Sequence, residues 1–217
     1  TSDVAVATVT KTGLIAIVGE GTADITATLN GVEVAGSLTV NSLGQFVPAE
    51  TPTTNAGNVI SIFSDAYTNE AVEYYNGYWA PYQTTLGQDD ISINGDNIIK
   101  YSALNFVGIQ FTKPTINISD MTNFHLDIQV INELNSSDFV TVKLQDIGPD
   151  NTFGTSDDSA AEIKFSASNL VTGEWVSIDI PLSSLSGLTS SANLAQVVFI
   201  SDATVTDMYV DNVYFNK

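Results

Sequence analysis

Apolar and polar residues alternate one for one in short runs along nearly the whole chain, and no run repeats its apolar residues at helical spacing. Alternation with period two is what a strand with one buried face requires. In Phe124–Val130 the set Phe124, Leu126, Ile128 and Val130 falls on one side, and His125, Asp127 and Gln129 fall on the other. The pattern predicts an all-β chain, with the apolar set of each strand turned to a core.

The runs form two series. Residues 1–41 hold short Val/Thr/Ile segments (4–10, 22–29 and 32–40) cut by glycines, with Asn30-Gly31 as a hairpin signal because both residues tolerate positive φ. Residues 42–57 lose the alternation and contain Pro48 and Pro52, which reads as a semi-rigid linker. Residues 58–217 then carry nine expected strands, at 58–64, 97–102, 107–111, 124–131, 139–145, 161–166, 175–181, 195–201 and 207–215. That many short strands with turn residues between them predict a two-sheet sandwich of jelly-roll type. The expected domains are thus 1–41, a linker at 42–57, and 58–217.

Charge narrows the partners. The 217 residues include 25 acids against six lysines and no arginine, for a net charge of −19. A phosphate backbone would be repelled, and the forked guanidinium that grips phosphate or carboxylate is missing, so nucleic acid is excluded as a partner. Neutral ligands and hard divalent cations remain. With no cysteine there are no disulfides, thiolate metal sites or cysteine nucleophiles. The Asn/Thr/Ser-rich, lysine-poor make-up points to work outside a bacterial cell. No membrane-length apolar run is present, so no direct membrane insertion is expected, and the chain reads as a soluble, monomeric fragment lacking a targeting segment.

Catalysis finds little support. His125 is the lone histidine, and no nucleophile-elbow, phosphate-loop, zincin or dinucleotide motif occurs. A glycosidase needs only two carboxylates, yet the acids cluster in turns where burial cannot raise a pKa. Glu70 and Glu73 come nearest to aromatic residues. The chain is expected not to be an enzyme. His125 reads either as a half-exposed strand histidine or, with Gln129, as the lining of a groove on the sheet face.

The densest chemical signal is EYYNGYWAPYQTT, with Tyr74, Tyr75, Tyr78, Trp79 and Tyr82 around Gly77 and Pro81. Sugar rings lay apolar C–H faces on such side chains while polar neighbours meet the hydroxyls. The segment therefore reads as a glycan-binding loop with Trp79 as its main platform and Tyr75, Tyr78 and Tyr82 beside it. Some of these rings serve equally well as anchors of a surface loop. Trp175 opens a strand on its polar side. The run DIGPDNTFGTSDDSAAE, with Asp146, Asp150, Asp157 and Asp158, reads either as a solvated hairpin tip or as a cation site.

Two resemblances add to this reading. VATVTKTGLIAIVGEGTADITATLNGVEVAGSLTV resembles the second half of a bacterial immunoglobulin-like domain of group 2, which implies a partial immunoglobulin-like domain serving as a spacer. ISIFSDAYTNEAVEYYNGYWAPYQTT, NIIKYSALNFVGIQF, MTNFHLDIQV, GEWVSIDIPLSSL and MYVDNVYF together resemble the β-sandwich carbohydrate-binding modules of Bacteroidota glucanases and surface glycan-binding proteins. This second resemblance implies capture of a neutral polysaccharide, a β-glucan such as the β-1,3-linked laminarin. The setting it implies is a bacterial cell surface, as an outer-membrane lipoprotein or secreted protein. A targeting module of a larger glucanase and a calcium-stabilised adhesin are the alternatives. The same resemblance implies a structural role for Trp175. It also implies a structural Ca²⁺ bound by Asp65 and Asp211, near the first and last strands, and completed by backbone carbonyls.

Overall fold

The computed structural model describes residues 1–43 and 46–217. They divide into two compact units, Thr1–Pro48 and Ala49–Lys217. Of the expected linker, Gly44 and Gln45 lie outside the described residues. Its first part continues a strand through Leu43. Residues 49–57 belong to the second unit, where the carbonyls of Glu50 and Thr54 accept hydrogen bonds from the Asn212 side chain and the Tyr67 hydroxyl.

The first unit contains β1 (Ala7–Val9), β2 (Ile15–Ile17), β3 (Glu20–Ile25), β4 (Thr28–Leu29), β5 (Val32–Glu33) and β6 (Leu38–Leu43). They pair as β1 with β2, β3 with β6 and β4 with β5, all antiparallel. The β4–β5 turn is the Asn30-Gly31 pair, both at positive φ. Its core is small: Val6, Ala7 and Ala23, with Ile15 and Val40 packed against them. Leu14, Leu29 and Val32 are each about two-thirds exposed.

The second unit is a sandwich of two antiparallel sheets. Its strands are β7 (Val59–Phe63), β8 (Tyr74–Gly77), β9 (Leu86–Ile93), β10 (Asp96–Ser102), β11 (Phe106–Gln110), β12 (Asn123–Val130), β13 (Phe139–Asp146), β14 (Ser159–Ser166), β15 (Trp175–Pro181), β16 (Leu194–Ile200) and β17 (Asp207–Asn216). The first sheet runs β15-β12-β17-β10-β9, with β7 also on β17, and the second runs β14-β13-β16-β11-β8. Each expected strand of the sandwich is present. Two more, β8 and β9, lie where a loop and no strand had been expected.

Alternation builds the core between the sheets. Phe124, Leu126 and Ile128 of β12 and Val210, Val213 and Phe215 of β17 meet Val107 and Ile109 of β11, Val142 and Leu144 of β13, and Val197 and Phe199 of β16. Phe215 is fully buried and packs on Phe124 with ring centroids 4.7 Å apart. Cutting such a side chain to alanine costs about 3–5 kcal/mol, from lost transfer energy and the cavity left behind.

Strand β17 is the centre of the first sheet. One edge pairs with β12, and the other is shared end to end by β10, along Asp207–Val210, and β7, along Val213–Asn216. Between these two partners sit Asp211 and Asn212, where a bulge opposite β12 puts Asn212 at φ 50°.

Candidate functional site

The second sheet presents a polar outer face for a simple reason: the residues flanking its core positions point outward. In β11 these are Gly108 and Gln110, in β16 Gln196 and Val198, and in β13 Lys143 and Gln145. Register aligns Gln110, Gln196 and Gln145 in one row across three strands, and Gly108, Val198 and Lys143 in the next. Together with Trp79 and Phe153 these side chains line an open groove of about 430 Å³.

Trp79 lies on this face because Gly108 has no side chain. A Cβ there would sit 2.2 Å from the far edge of the indole. The indole stacks on Phe106, with centroids 5.9 Å apart and planes 18° from parallel. Its loop is held by side chains. Trp79 N–H donates to Gln83 Oε1 at 3.0 Å, Asn105 Nδ2 donates to the Tyr82 carbonyl at 2.8 Å, and Thr84 N–H donates to Asn105 Oδ1 at 2.9 Å. A platform fixed this way loses little freedom on binding. Tyr78 and Tyr82, on the same loop, are 65% and 78% exposed.

Phe153 and the glutamine row were not picked out from the sequence. Phe153 sits at the tip of the β13–β14 hairpin, inside the Asp-rich run. The aspartates of that run are occupied by backbone and side-chain donors, all within the run except Asn193. Asp146 accepts from Gly148 N–H and Asn193 N–H, Asp150 from Thr152 N–H, Asp158 from Gly154 N–H, and Asp157 from the Thr155 hydroxyl. They shape a self-capped turn that carries an aromatic ring to the groove. Outward Gln and Lys on alternating strands were visible, but only the register shows that they share a row.

Tyr75 is corrected. It belongs to β8, not to a loop, and points inward. Its ring meets Phe63 edge-on at 5.3 Å, and its hydroxyl donates to the Ile62 carbonyl at 3.0 Å. It anchors the sandwich and does not face the groove.

His125 and Gln129 are likewise separated from Trp79, because β12 belongs to the first sheet and their outward face is on the opposite side of the sandwich. Neither is half-exposed: each is 8% exposed. His125 stacks on Tyr214 at 4.4 Å, and its Nδ1 is 2.8 Å from Asp179. Burial lowers its basicity, but hydrogen bonds and charge from Asp127 and Asp179 outweigh that and hold its pKa above the ordinary value. The Gln129 amide nitrogen donates to the Gly173 carbonyl. Trp175 pairs with Tyr209 on this same sheet, at 6.5 Å, and not in the groove.

Glu73 stands just before β8. Its carboxylate accepts from the Thr112 hydroxyl, from Thr112 N–H at 3.0 Å and from Gln110 Nε2 at 3.3 Å, with Lys113 Nζ at 3.6 Å. These donors, the Thr112 hydroxyl foremost, pull its pKa down. That is the wrong direction for a general acid.

Asp65 and Asp211 are brought to one place, the gap between β7 and β10 beside β17. Asp65 follows the end of β7 and accepts from Asn97 N–H at 2.8 Å and Asn97 Nδ2 at 2.7 Å. Asp211 is buried, and desolvation, aided by repulsion from Asp96, Asp127 and Asp65, pushes its pKa up to about 7. Asp96 Oδ2 is buried without a hydrogen-bond partner. Oxygen donors and clustered negative charge, with one orphaned carboxylate oxygen at Asp96, are the chemistry a hard divalent ion prefers, although both Asp65 oxygens are already taken by Asn97. Among the described residues no three Asp, Glu, His or Cys side chains form a metal-holding group.

No protein-family model and no curated protein matches the chain. Solved structures do. The family 30 carbohydrate-binding module of a cellulosomal cellulase of Clostridium thermocellum aligns at 15% identity and TM-score 0.50, covering 73% of this chain and 97% of that one. A second family 30 carbohydrate-binding module aligns at 16% identity and TM-score 0.50, covering 73% and 98%. A family 11 module from the same bacterium, in complex with a β-1,3-1,4-mixed-linked tetrasaccharide, aligns at 16% identity and TM-score 0.47, covering 65% and 86%. The fold is that of the β-sandwich carbohydrate-binding modules. Among the described residues no helix is long and apolar enough to cross a membrane.

Proposed function

We propose that the chain captures a polysaccharide without turning it over, in the groove on the outer face of the second sheet. The observation that carries this is the Trp79 indole laid over Gly108 beside a row of three glutamines. An aromatic plane next to amide donors and acceptors is what a sugar ring needs: one surface for its C–H face, another for its hydroxyls. The groove is open, as a binder of chain interiors requires. The likeness to modules named for carbohydrate binding supports the same reading.

The ligand is a neutral β-glucan, with β-1,3-linked laminarin as first choice. Net charge of −19 disfavours uronates and sulfates, and Lys143 is the one cation lining the groove. The β-1,3 linkage rests on the sequence resemblance. A Ca²⁺ held by Asp65 and Asp211, with carbonyl oxygens, supports the fold and lies on the other sheet from the groove. The setting is the outside of a bacterial cell, either on its surface or as the targeting module of a secreted glucanase. The cellulase origin of one fold neighbour favours the targeting role.

The test is calorimetry with laminarin, mixed-linkage glucan, xylan and alginate, on the native protein and on Trp79→Ala. Laminarin binding that falls about ten- to a hundredfold in the variant is expected, equivalent to about 1–3 kcal/mol for one stacked anchor. Binding of alginate alone would overturn the neutral-glycan reading, and undiminished binding by the variant would place the site elsewhere.

A further inference from the structure

The groove's polar floor has a direction, and it is set from outside the groove. A carboxylate can only accept, so the Gln110 amide must turn its nitrogen to Glu73, as the 3.3 Å contact shows. Its oxygen then faces β16, where Gln196 Nε2 donates to it at 2.8 Å. The Gln196 nitrogen is thereby committed to Gln110. Its Oε1 has no partner among the described residues and is not sealed from solvent. The side chains of Gln145 and Lys143, on the same face, make no hydrogen bond or ion pair among the described residues.

We propose that Glu73 is a positioning residue for ligand binding. Through Gln110 it locks Gln196 so that the middle of the groove floor offers a carbonyl oxygen to a hydroxyl proton of the glycan. The inference rests on the groove being the glycan site. Without Glu73 the pair loses the acceptor-only group that fixes its orientation, leaving the Tyr74 hydroxyl, which can donate or accept, as the other side chain hydrogen-bonded to Gln110, and the reversed arrangement would present an N–H where the ligand hydroxyl donates. Lys113 and Thr112 keep the Glu73 carboxylate ionised and in place, so the relay is held at its outer end. The ligand chemistry implied is a polyol whose hydroxyl donates at Gln196 while its neighbours accept from Lys143 or Gln145.

Three measurements test this. In the free protein, side-chain amide NMR should show the Gln196 NH₂ hydrogen-bonded and slow to exchange, and Glu73→Gln should clearly weaken that signature. Laminarin affinity should fall about two- to tenfold in Glu73→Gln, the scale of one hydrogen bond, with an unchanged melting temperature. Gln110→Leu, which cuts the relay while leaving Glu73 in place, should lose as much, and the double variant should lose no more than either alone. Native binding should also weaken as pH falls through the carboxylate range, whereas Glu73→Gln should show no such slope. Additive losses, or an unaltered Gln196 signature in Glu73→Gln, would overturn the relay. If the native protein bound none of the glycans, the functional reading would fail, while the NMR experiment would still decide the orientation of Gln196.

Discussion

Trp79 and Phe106 stack 5.9 Å apart and within 18° of parallel, so the indole proposed to carry a sugar is itself backed by a second aromatic ring. Gly108 makes room for this arrangement. Gly108→Ala should push the indole off the sheet and lower laminarin affinity about tenfold, with about 1–3 kcal/mol of overpacking cost to stability. Calorimetry beside a denaturant melt separates the two effects. Unchanged affinity would show that the indole is not the binding surface.

Phe153 reaches the groove from the β13–β14 hairpin and is 41% exposed. Phe153→Ala should weaken glycan binding about three- to tenfold while leaving the melting temperature within about a degree, because the ring contributes little to the core. A large fall in melting temperature with full affinity would assign it to the fold instead.

His125 gives the pH dependence of stability a sign. Its pKa in the fold lies above the ordinary value because Asp127 and Asp179 favour the imidazolium more than burial opposes it. The stabilisation is complete below the unfolded pKa of about 6.5 and is lost as pH rises through the higher folded value. Melting temperature should therefore decline as pH rises above the unfolded value and through the folded one. In His125→Gln this part of the decline should disappear. Because His125 faces away from the groove, glycan affinity in the variant should not change.

For the calcium ion proposed at Asp65 and Asp211, binding only to the folded state raises the melting temperature. Excess chelator should lower it, and Asp211→Ala should remove most of the response. Laminarin affinity measured well below the melting temperature should be the same with and without chelator. An identical melting curve in chelator would argue against an ion at Asp65 and Asp211.

Much of the fold could be read from alternation, because a strand buried on one face writes its period into the sequence. Strand β12 shows where this ends. Its inner set is as expected, but His125, Asp127 and Gln129 are buried too, since β12 lies between β15 and β17 and its outer face is covered by partners such as Tyr214. Strand β8 was hidden because Tyr74–Gly77 is short and its aromatic residues read as a binding loop. The site was half legible. Trp79 stood out by its neighbours, whereas Gln110, Gln145 and Gln196 are far apart in sequence and become a row only through strand register, which no local pattern encodes.

The position of β17 has a kinetic meaning. The last strand of the sandwich occupies the middle of the first sheet, where β7, β10 and β12 all wait for it. During synthesis the other strands of the first sheet emerge before its centre, and that sheet can close only when residues 207–216 arrive. Closure of that sheet thereby waits for β17, with its rate governed by long-range pairing. A nascent chain stalled before Asp207 would expose unpaired strand edges to aggregation and to holding chaperones.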